Sequence, residues 1–432
     1  MKKGIFVLAA AFFVPWMSRA QEAPRLFSLR EAVVFAVEHN KQLQSSTMNI
    51  ELFRQKVREA IAQGLPQVNG TVDYATNFNH EMSFGSSMQI KMKDQSNAKL
   101  TLQQLLFSGQ WIAGIQASKI AKQLASQQVE LTTQEVVENV CNSYYNILVT
   151  RRMLEIVDQN LTFMNQTFEH TRDMFAAGVV EETDVDQISI TVGQLKNARL
   201  SMQRTLDLAV NLLRLQMGLE DGAPLALGDD LAGLLAPSTR GLSAADAFDP
   251  ENNLQFRLVS TQTSINRKLL QVEKWSYAPT LAGQYSYTYK LLKPELDMSP
   301  NHTAGVSLSI PIFSGLQRQS KVSQARITLE QSLLDKSLLE DQLRLQDGQL
   351  RSELSNAVEN HALQRENIEV ARRVLASYKR KYELGALSSM ELTQANSTYL
   401  QAENNYTSAA LTLLQAWLQL EKLYNRLSVL YQ

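Results

Sequence analysis

Two stretches of this chain, Gly109 to Gly178 and Gly315 to Gly385, run for 69 and 70 residue steps without a proline. Proline removes a backbone donor and clashes with the preceding turn, so its absence allows one unbroken helix in each stretch. At 1.5 Å per residue each helix is a rod of roughly 100 Å. Apolar residues recur at spacings of three and four in the first stretch: Val136, Val140, Tyr144, Ile147 and Leu148, then Met153, Ile156 and Val157. Ala113, Ala117, Ala121 and Ala125 add a stripe suited to close helix contact. A free coiled-coil rod has the same period. Both the polar and the apolar faces are broad, however, as in a helix with neighbours on two sides.

The two stretches belong to a repeated unit. "TRDMFAAGVVEETDVDQ" at 171–187 aligns with the segment beginning "YKRKYELGALSSMELTQ" at 378, at an offset of 207. Gly178 then falls on Gly385, Asp184 on Glu391, Val185 on Leu392 and Gln187 on Gln394. At an offset of 213, Glu38 and Asn40 fall on Glu251 and Asn253, and Pro66 and Gly70 on Pro279 and Gly283. At an offset of 206, "LFSGQ" falls on "IFSGL". Each unit reads helix, strand, loop, strand, very long helix, glycine turn, helix. The expected division is a leader at 1–20, a first unit at 21–218, a connector at 219–250 and a second unit at 251–432. The connector concentrates Gly, Pro and Asp and is expected beside the rods near their middle. Segments Ser28 to Gln63 and Glu251 to Trp275 are expected to stack end to end on the shorter return helices, Thr183 to Met217 and Ser388 to about Leu427. Ser28 with Glu31, and Ser388 with Glu391, have capping-box spacing.

The strand candidates alternate with period two. Val68, Val72, Tyr74 and Phe78 oppose Asn69, Thr71, Asp73 and Asn77, while Leu281, Tyr285, Tyr287 and Tyr289 oppose Gln284, Ser286 and Thr288. Leu100 and Leu102 oppose Lys99, Thr101 and Gln103, and Ala304, Val306, Leu308 and Ile310 oppose Thr303, Ser307 and Ser309. Such alternation suits a sheet on a soluble core, and equally a tilted transmembrane strand of ~9 to 11 residues. The tyrosines suit an interfacial girdle. The N-terminus favours the membrane too: Lys2 and Lys3, the apolar run Ile5 to Val14, then Ser18-Arg19-Ala20 make a cleavable export signal. No apolar run reaches the ~18 to 20 residues of a spanning helix, so the chain would enter a membrane as strands. Four strands cannot close a barrel by themselves, and an open edge in lipid leaves backbone groups unpaired. Several chains must then share one barrel.

Other classes fit poorly. With 42 Lys and Arg against 43 Asp and Glu, the net charge of −1 gives no basic field for nucleic acid. The five histidines (His39, His80, His170, His302, His361) lack metal spacing, and no phosphate-binding glycine loop follows a strand. No catalytic residues, cofactor site or metal site are expected, and the chain does not read as an enzyme. Its single cysteine, Cys141, allows no internal disulfide.

The duplicated strand-pair and helix-pair unit, "SIPIFSG" at 309–315 and the glycine turn with an acidic residue six positions on are similar to the TolC family of outer-membrane efflux and secretion channels. The resemblance covers nearly the whole mature chain. It implies a mainly α fold with a membrane β-barrel: a homotrimer whose twelve strands form one outer-membrane barrel and whose long coiled-coil helices form a periplasmic α-helical barrel. Gly178 and Gly385 would end the long helices in a left-handed conformation at the periplasmic tips. There the family receives the helical hairpin of a periplasmic adaptor (membrane-fusion) protein, and the corresponding triplets are Ala177-Gly178-Val179 and Leu384-Gly385-Ala386.

The resemblance also implies a pore constriction at Asp184, Gln187, Tyr382, Glu391 and Gln394. Gln394 stands where the family has a carboxylate, and Leu387 where an arginine often occurs. Three symmetry-related copies of Glu391 would raise some of their pKa values and attract cations. The expected activity is a passive trans-periplasmic exit duct of a tripartite efflux system, opened by adaptor and inner-membrane pump. The alternatives are the outer channel of a type I protein-secretion system or a periplasmic coiled-coil scaffold or adaptor without a barrel.

Overall fold

The computed structural model describes residues 25–76, 78, 81–84, 88–91, 94–238, 247–293 and 299–431. The expected leader at 1–20, together with Asn77 and His80, lies outside the described residues. In chain order the elements are β1 (Arg25–Phe27), α1 (Leu29–His39), α2 (Lys41–Ala62), β2 (Gln67–Ala75), β3 (Glu81–Phe84), β4 (Met88–Lys91) and β5 (Gln95–Phe107). The first long helix α3 (Gly109–Ala176) and its return α4 (Glu182–Met217) follow, then β6 (Leu225–Leu227) and α5 (Leu231–Ser238). The second unit comprises α6 (Leu254–Trp275), β7 (Thr280–Leu292), β8 (His302–Ser309), α7 (Gln317–Glu383) and α8 (Ser389–Leu423). Both long helices are unbroken, as the missing prolines allow.

Four strands form one antiparallel sheet in the order β2-β5-β7-β8, so the hairpins of the two units join at β5 and β7. The register keeps the alternation in phase across the sheet. Val68 faces Leu102, Leu102 faces Tyr285, and Tyr285 faces Ala304. One face therefore exposes Val72, Tyr74, Leu100, Tyr289, Val306 and Leu308 together. β2 stops at Ala75, short of the expected Phe78, which sits in a turn with φ 48°. The extra residues of the first loop instead form a separate two-stranded hairpin, β3 with β4.

Below the sheet the helices pack in lateral order, α2-α3-α6-α7 near the strands and α4-α3-α8-α7 farther away. Two asparagines splice the upper helices onto the lower ones. Asn40 caps α2 by accepting from the Leu43 N–H at 3.0 Å, while its amide donates to the Gln216 carbonyl at the end of α4, 2.7 Å away. Asn253 repeats this: its oxygen accepts from Gln255 and Phe256 N–H, and its amide donates to the Leu423 carbonyl at 3.0 Å. One side chain thus satisfies orphan donors of one helix and an orphan acceptor of the next. The expected end-to-end stacking is present, with one correction: the segment from Ser28 is two helices, because Asn40 adopts an extended conformation and breaks it. The Ser28 capping box is formed, the Ser28 N–H reaching Glu31 at 2.8 Å.

β6 pairs in parallel with β1, and α5 lies against α8 and α3. The Tyr144 hydroxyl of α3 donates to the Phe27 carbonyl at 2.9 Å and the Asp229 carboxylate accepts the Leu29 N–H at 2.6 Å, tying this layer to the rod. The main core gathers here, with Val137, Val140, Tyr144, Leu213, Leu413, Leu414 and Leu418 buried. A smaller core of Val157, Met164, Ile188, Val192 and Leu195 lies toward the glycine turns.

Candidate functional site at the helical tips

Both helical hairpins close by the same backbone device. At the first, Gly178 has φ 71°, the Val179 N–H donates to the Met174 carbonyl and the Gly178 N–H to the Phe175 carbonyl, each at 2.9 Å. At the second, Gly385 has φ 70°, with Ala386 N–H to Lys381 and Gly385 N–H to Tyr382 at the same 2.9 Å. This paired pattern ends a helix with a left-handed residue, which costs a residue bearing a Cβ roughly 1–2 kcal/mol and glycine nothing. The six tip residues, Ala177, Gly178, Val179, Leu384, Gly385 and Ala386, are all exposed. Val179 and Leu384 keep 65% and 83% of their surface open, a solvation cost that no contact within the protomer offsets.

Of the five expected constriction residues, the structure brings two into contacts between the hairpins. The Asp184 carboxylate accepts the hydroxyl of Ser389 on α8 and also the Glu181 N–H of its own helix start. Tyr382 is buried and its hydroxyl bonds Thr171 on α3. Because Thr171 already donates to the Thr167 carbonyl at 2.8 Å, Tyr382 is the donor in that pair. Burial holds the Tyr382 phenol above its usual range, and the Asp184 charge adds to the effect. Gln187 and Gln394 are exposed.

Glu391 caps its own helix, as its spacing from Ser388 predicts. Its carboxylate accepts the Ser388 N–H at 3.0 Å and the Ser388 hydroxyl at 2.8 Å, completing the capping box of α8. Within the protomer these bonds favour the charged form and hold its pKa below the usual carboxylate value.

Above these contacts, Asn160 of α3 and Asn396 of α8 form a reciprocal buried amide pair, with bonds of 2.5 and 3.1 Å. Sequence reading missed it although a signal existed. Asn160 interrupts the row Ile156-Asn160-Met164, and Asn396 the row Leu392-Asn396-Leu400. A polar residue inside an apolar row specifies register at some cost in stability. Thr171 and Ser389 had no such signal, since neither occupies a corresponding position in the repeat.

Among the described residues no helix is long and apolar enough to cross a membrane, and no group of His, Cys, Asp and Glu is placed to hold a metal ion. The sheet with its exposed apolar face, set on two long helical hairpins, is what the comparisons with known proteins match. The outer membrane efflux protein family matches residues 33–219 and 252–426, both units and most of the chain. The chain belongs to the outer membrane efflux protein family. It is an outer-membrane efflux channel protein with a periplasmic extension.

Similar proteins of known name include the proteases secretion protein PrtF of Dickeya chrysanthemi, 22% identical over 94% of this chain and 89% of that protein. The outer membrane efflux protein BepC of Brucella suis is 20% identical over 95% and 89%. The outer membrane protein TolC of Vibrio cholerae is 21% identical over 93% and 91%. Among solved structures, the Campylobacter jejuni CmeC outer membrane channel superposes with a TM-score of 0.76 at 12% identity, covering 98% of this chain and 94% of that one. At such identity the superposition speaks for the fold alone. These relatives are channel proteins and not enzymes.

Proposed function

We propose that three copies of the chain assemble into one duct, their twelve strands closing an outer-membrane barrel and their helical columns a periplasmic tunnel. The single observation that carries this reading is the four-stranded sheet with an exposed apolar face and two open edges, β2 and β8. Lipid offers no hydrogen bonds, so both edges need partners, and identical copies supply them by rotation. The division into units at 21–218 and 251–432 around a connector at 219–250 belongs to the same proposal.

The tips are the proposed entrance. Asp184 to Ser389 and Tyr382 to Thr171 tie the α3–α4 hairpin to the α7–α8 hairpin, and opening consists of parting these contacts. Gln187, Glu391 and Gln394 complete the constriction in the assembled trimer. Ala177-Gly178-Val179 and Leu384-Gly385-Ala386 receive a periplasmic adaptor, whose inner-membrane pump supplies the energy. Relatives are named for protease secretion as well as for efflux, and we assign efflux of small molecules to this chain because the family that matches it is an efflux family.

The test replaces both tip glycines, Gly178→Trp with Gly385→Trp, in a strain whose drug export depends on this chain. Trimers that resist detergent until heated persist, while drug sensitivity rises to that of a strain lacking the chain. Unchanged drug sensitivity refutes docking at the tips, and a monomer that never enters the outer membrane refutes the duct.

A further inference from the structure

A cavity of about 200 Å³ opens between α3, α7 and α8 beside the constriction residue Tyr382. Three rings face it: Phe163 and His170 from α3 and Tyr382 from α7, with Leu392 of α8 as the apolar floor. His170 meets Tyr382 edge-on, centroids 6.1 Å apart and planes at 78°. Because the Tyr382 hydroxyl is held by Thr171, the tyrosine offers the cavity its ring. Lys379 and Glu383 stand on the same wall one helical turn apart. The Lys379 ammonium lies 4.9 Å from the centroid of the Phe163 ring. Among the described residues neither Lys379 nor Glu383 makes an ion pair, with each other or with a third group.

We propose that this cavity is a binding site for a small aromatic zwitterion of the size of an aromatic α-amino acid. The volume falls below the ~300 to 1,000 Å³ of drug-sized sites, which excludes a peptide helix and suits one or two rings. Rings and leucine supply an apolar slot for a planar group, since aromatic pairs favour edge and offset contacts. One cation and one anion at its rim match the carboxylate and the ammonium of the same ligand. A ligand of one sign would leave one of the two unmatched. A zwitterion held by Lys379 and Glu383 with its ring against Phe163 and His170 bridges α3 and α7 across the seam that Tyr382 and Thr171 already join. Occupancy therefore holds the two hairpins together at the entrance.

The test uses the purified full chain in detergent and fluorine NMR of three probes. 4-Fluoro-L-phenylalanine carries both charges, 4-fluorophenethylamine only the ammonium and 3-(4-fluorophenyl)propanoate only the carboxylate. The zwitterion broadens on addition of protein, and each single-charge probe binds about fivefold more weakly. Lys379→Gln and Glu383→Gln, both at exposed positions, each weaken the zwitterion by a similar factor. No broadening of any probe overturns the proposal, as does equal binding of all three or zwitterion binding indifferent to both substitutions. The tip-docking reading survives such a failure, because its own test reads drug export.

Discussion

The two long helices differ in surroundings far more than in sequence design. α3 sits inside the protomer between α2 and α4 on one side and α6 and α8 on the other, and it buries Val137, Val140, Cys141, Tyr144 and Tyr145 almost completely. α7 occupies the lateral edge. It buries one row, Leu343, Leu350, Leu354 and Ala357, and leaves a second apolar row at coiled-coil spacing in the open: Ile327, Leu334, Leu338 and Leu345. The opposite edge matches it, where α4 exposes Leu208, Leu212 and Leu215. Leu334 and Leu215 remain 71% and 73% exposed. A duplicated sequence thus yields one inner rod and one edge rod, and the edge rod carries an exposed apolar row that a neighbouring copy would cover in the proposed trimer.

The largest expected effect separates these two environments with one charge. Val140→Asp buries an unpaired carboxylate in the main core, at a cost of several kcal/mol, a large share of a typical domain's ~5–15 kcal/mol. Leu338→Asp leaves the protomer's own melting within about 0.5 kcal/mol of the parent but dissociates the proposed trimer. Circular dichroism melting and electrophoresis without heating read both. If Leu338→Asp melts as Val140→Asp does, the α7 face is packed inside its own chain and the contrast fails.

A smaller effect tests the seam between the hairpins. Asn396→Leu strands the Asn160 amide in the core and costs about 1–3 kcal/mol, whereas Asn160→Leu with Asn396→Leu recovers most of that loss. Equal destabilisation by the single and the double replacement, in denaturant titration, breaks the assignment of the pair as one unit.

The smallest effect returns to α3 against α7 at one level. Glu155 of α3 is exposed and paired with Arg152, whereas His361 of α7 is buried against the Tyr406 ring, and among the described residues its Nε2 has no hydrogen-bond partner. Burial, then the neighbouring Arg365, lowers the His361 pKa below 6.5. A folded value below the unfolded one means that the contribution to stability is present above pH 6.5 and is lost as pH falls through the folded value. His361→Phe is expected to flatten the fall in melting temperature between about pH 7.5 and about pH 5.5. An unchanged slope assigns that loss to other groups.

Much of this architecture was legible before any coordinates. The repeat, the two rods, the glycine turns and the alternating strands depend on local rules: proline placement, helical period, left-handed glycine and a two-residue pleat. The caps were legible for the same reason, as Ser28 with Glu31 and Ser388 with Glu391 show. What was not legible depended on which element lies beside which. Thr171 meets Tyr382 and Ser389 meets Asp184 across more than two hundred residues, with no repeat correspondence to announce either pair. Glu391 divides the same way: its spacing with Ser388 announced the cap that the structure forms, whereas a pore role depends on neighbouring copies of the chain.

By itself the sequence determined the rods, their turns and the two-faced strands. Each follows from backbone geometry or from the period of the side chains, and neither requires knowledge of distant partners. The tertiary structure alone decided that α3 lies inside and α7 at the edge, and that Asn40 and Asn253 splice stacked helices. It also decided that Tyr382 and Asp184 hold the hairpins together. Those outcomes depend on the lateral order of the helices, which two units of the same design leave open until the chain packs.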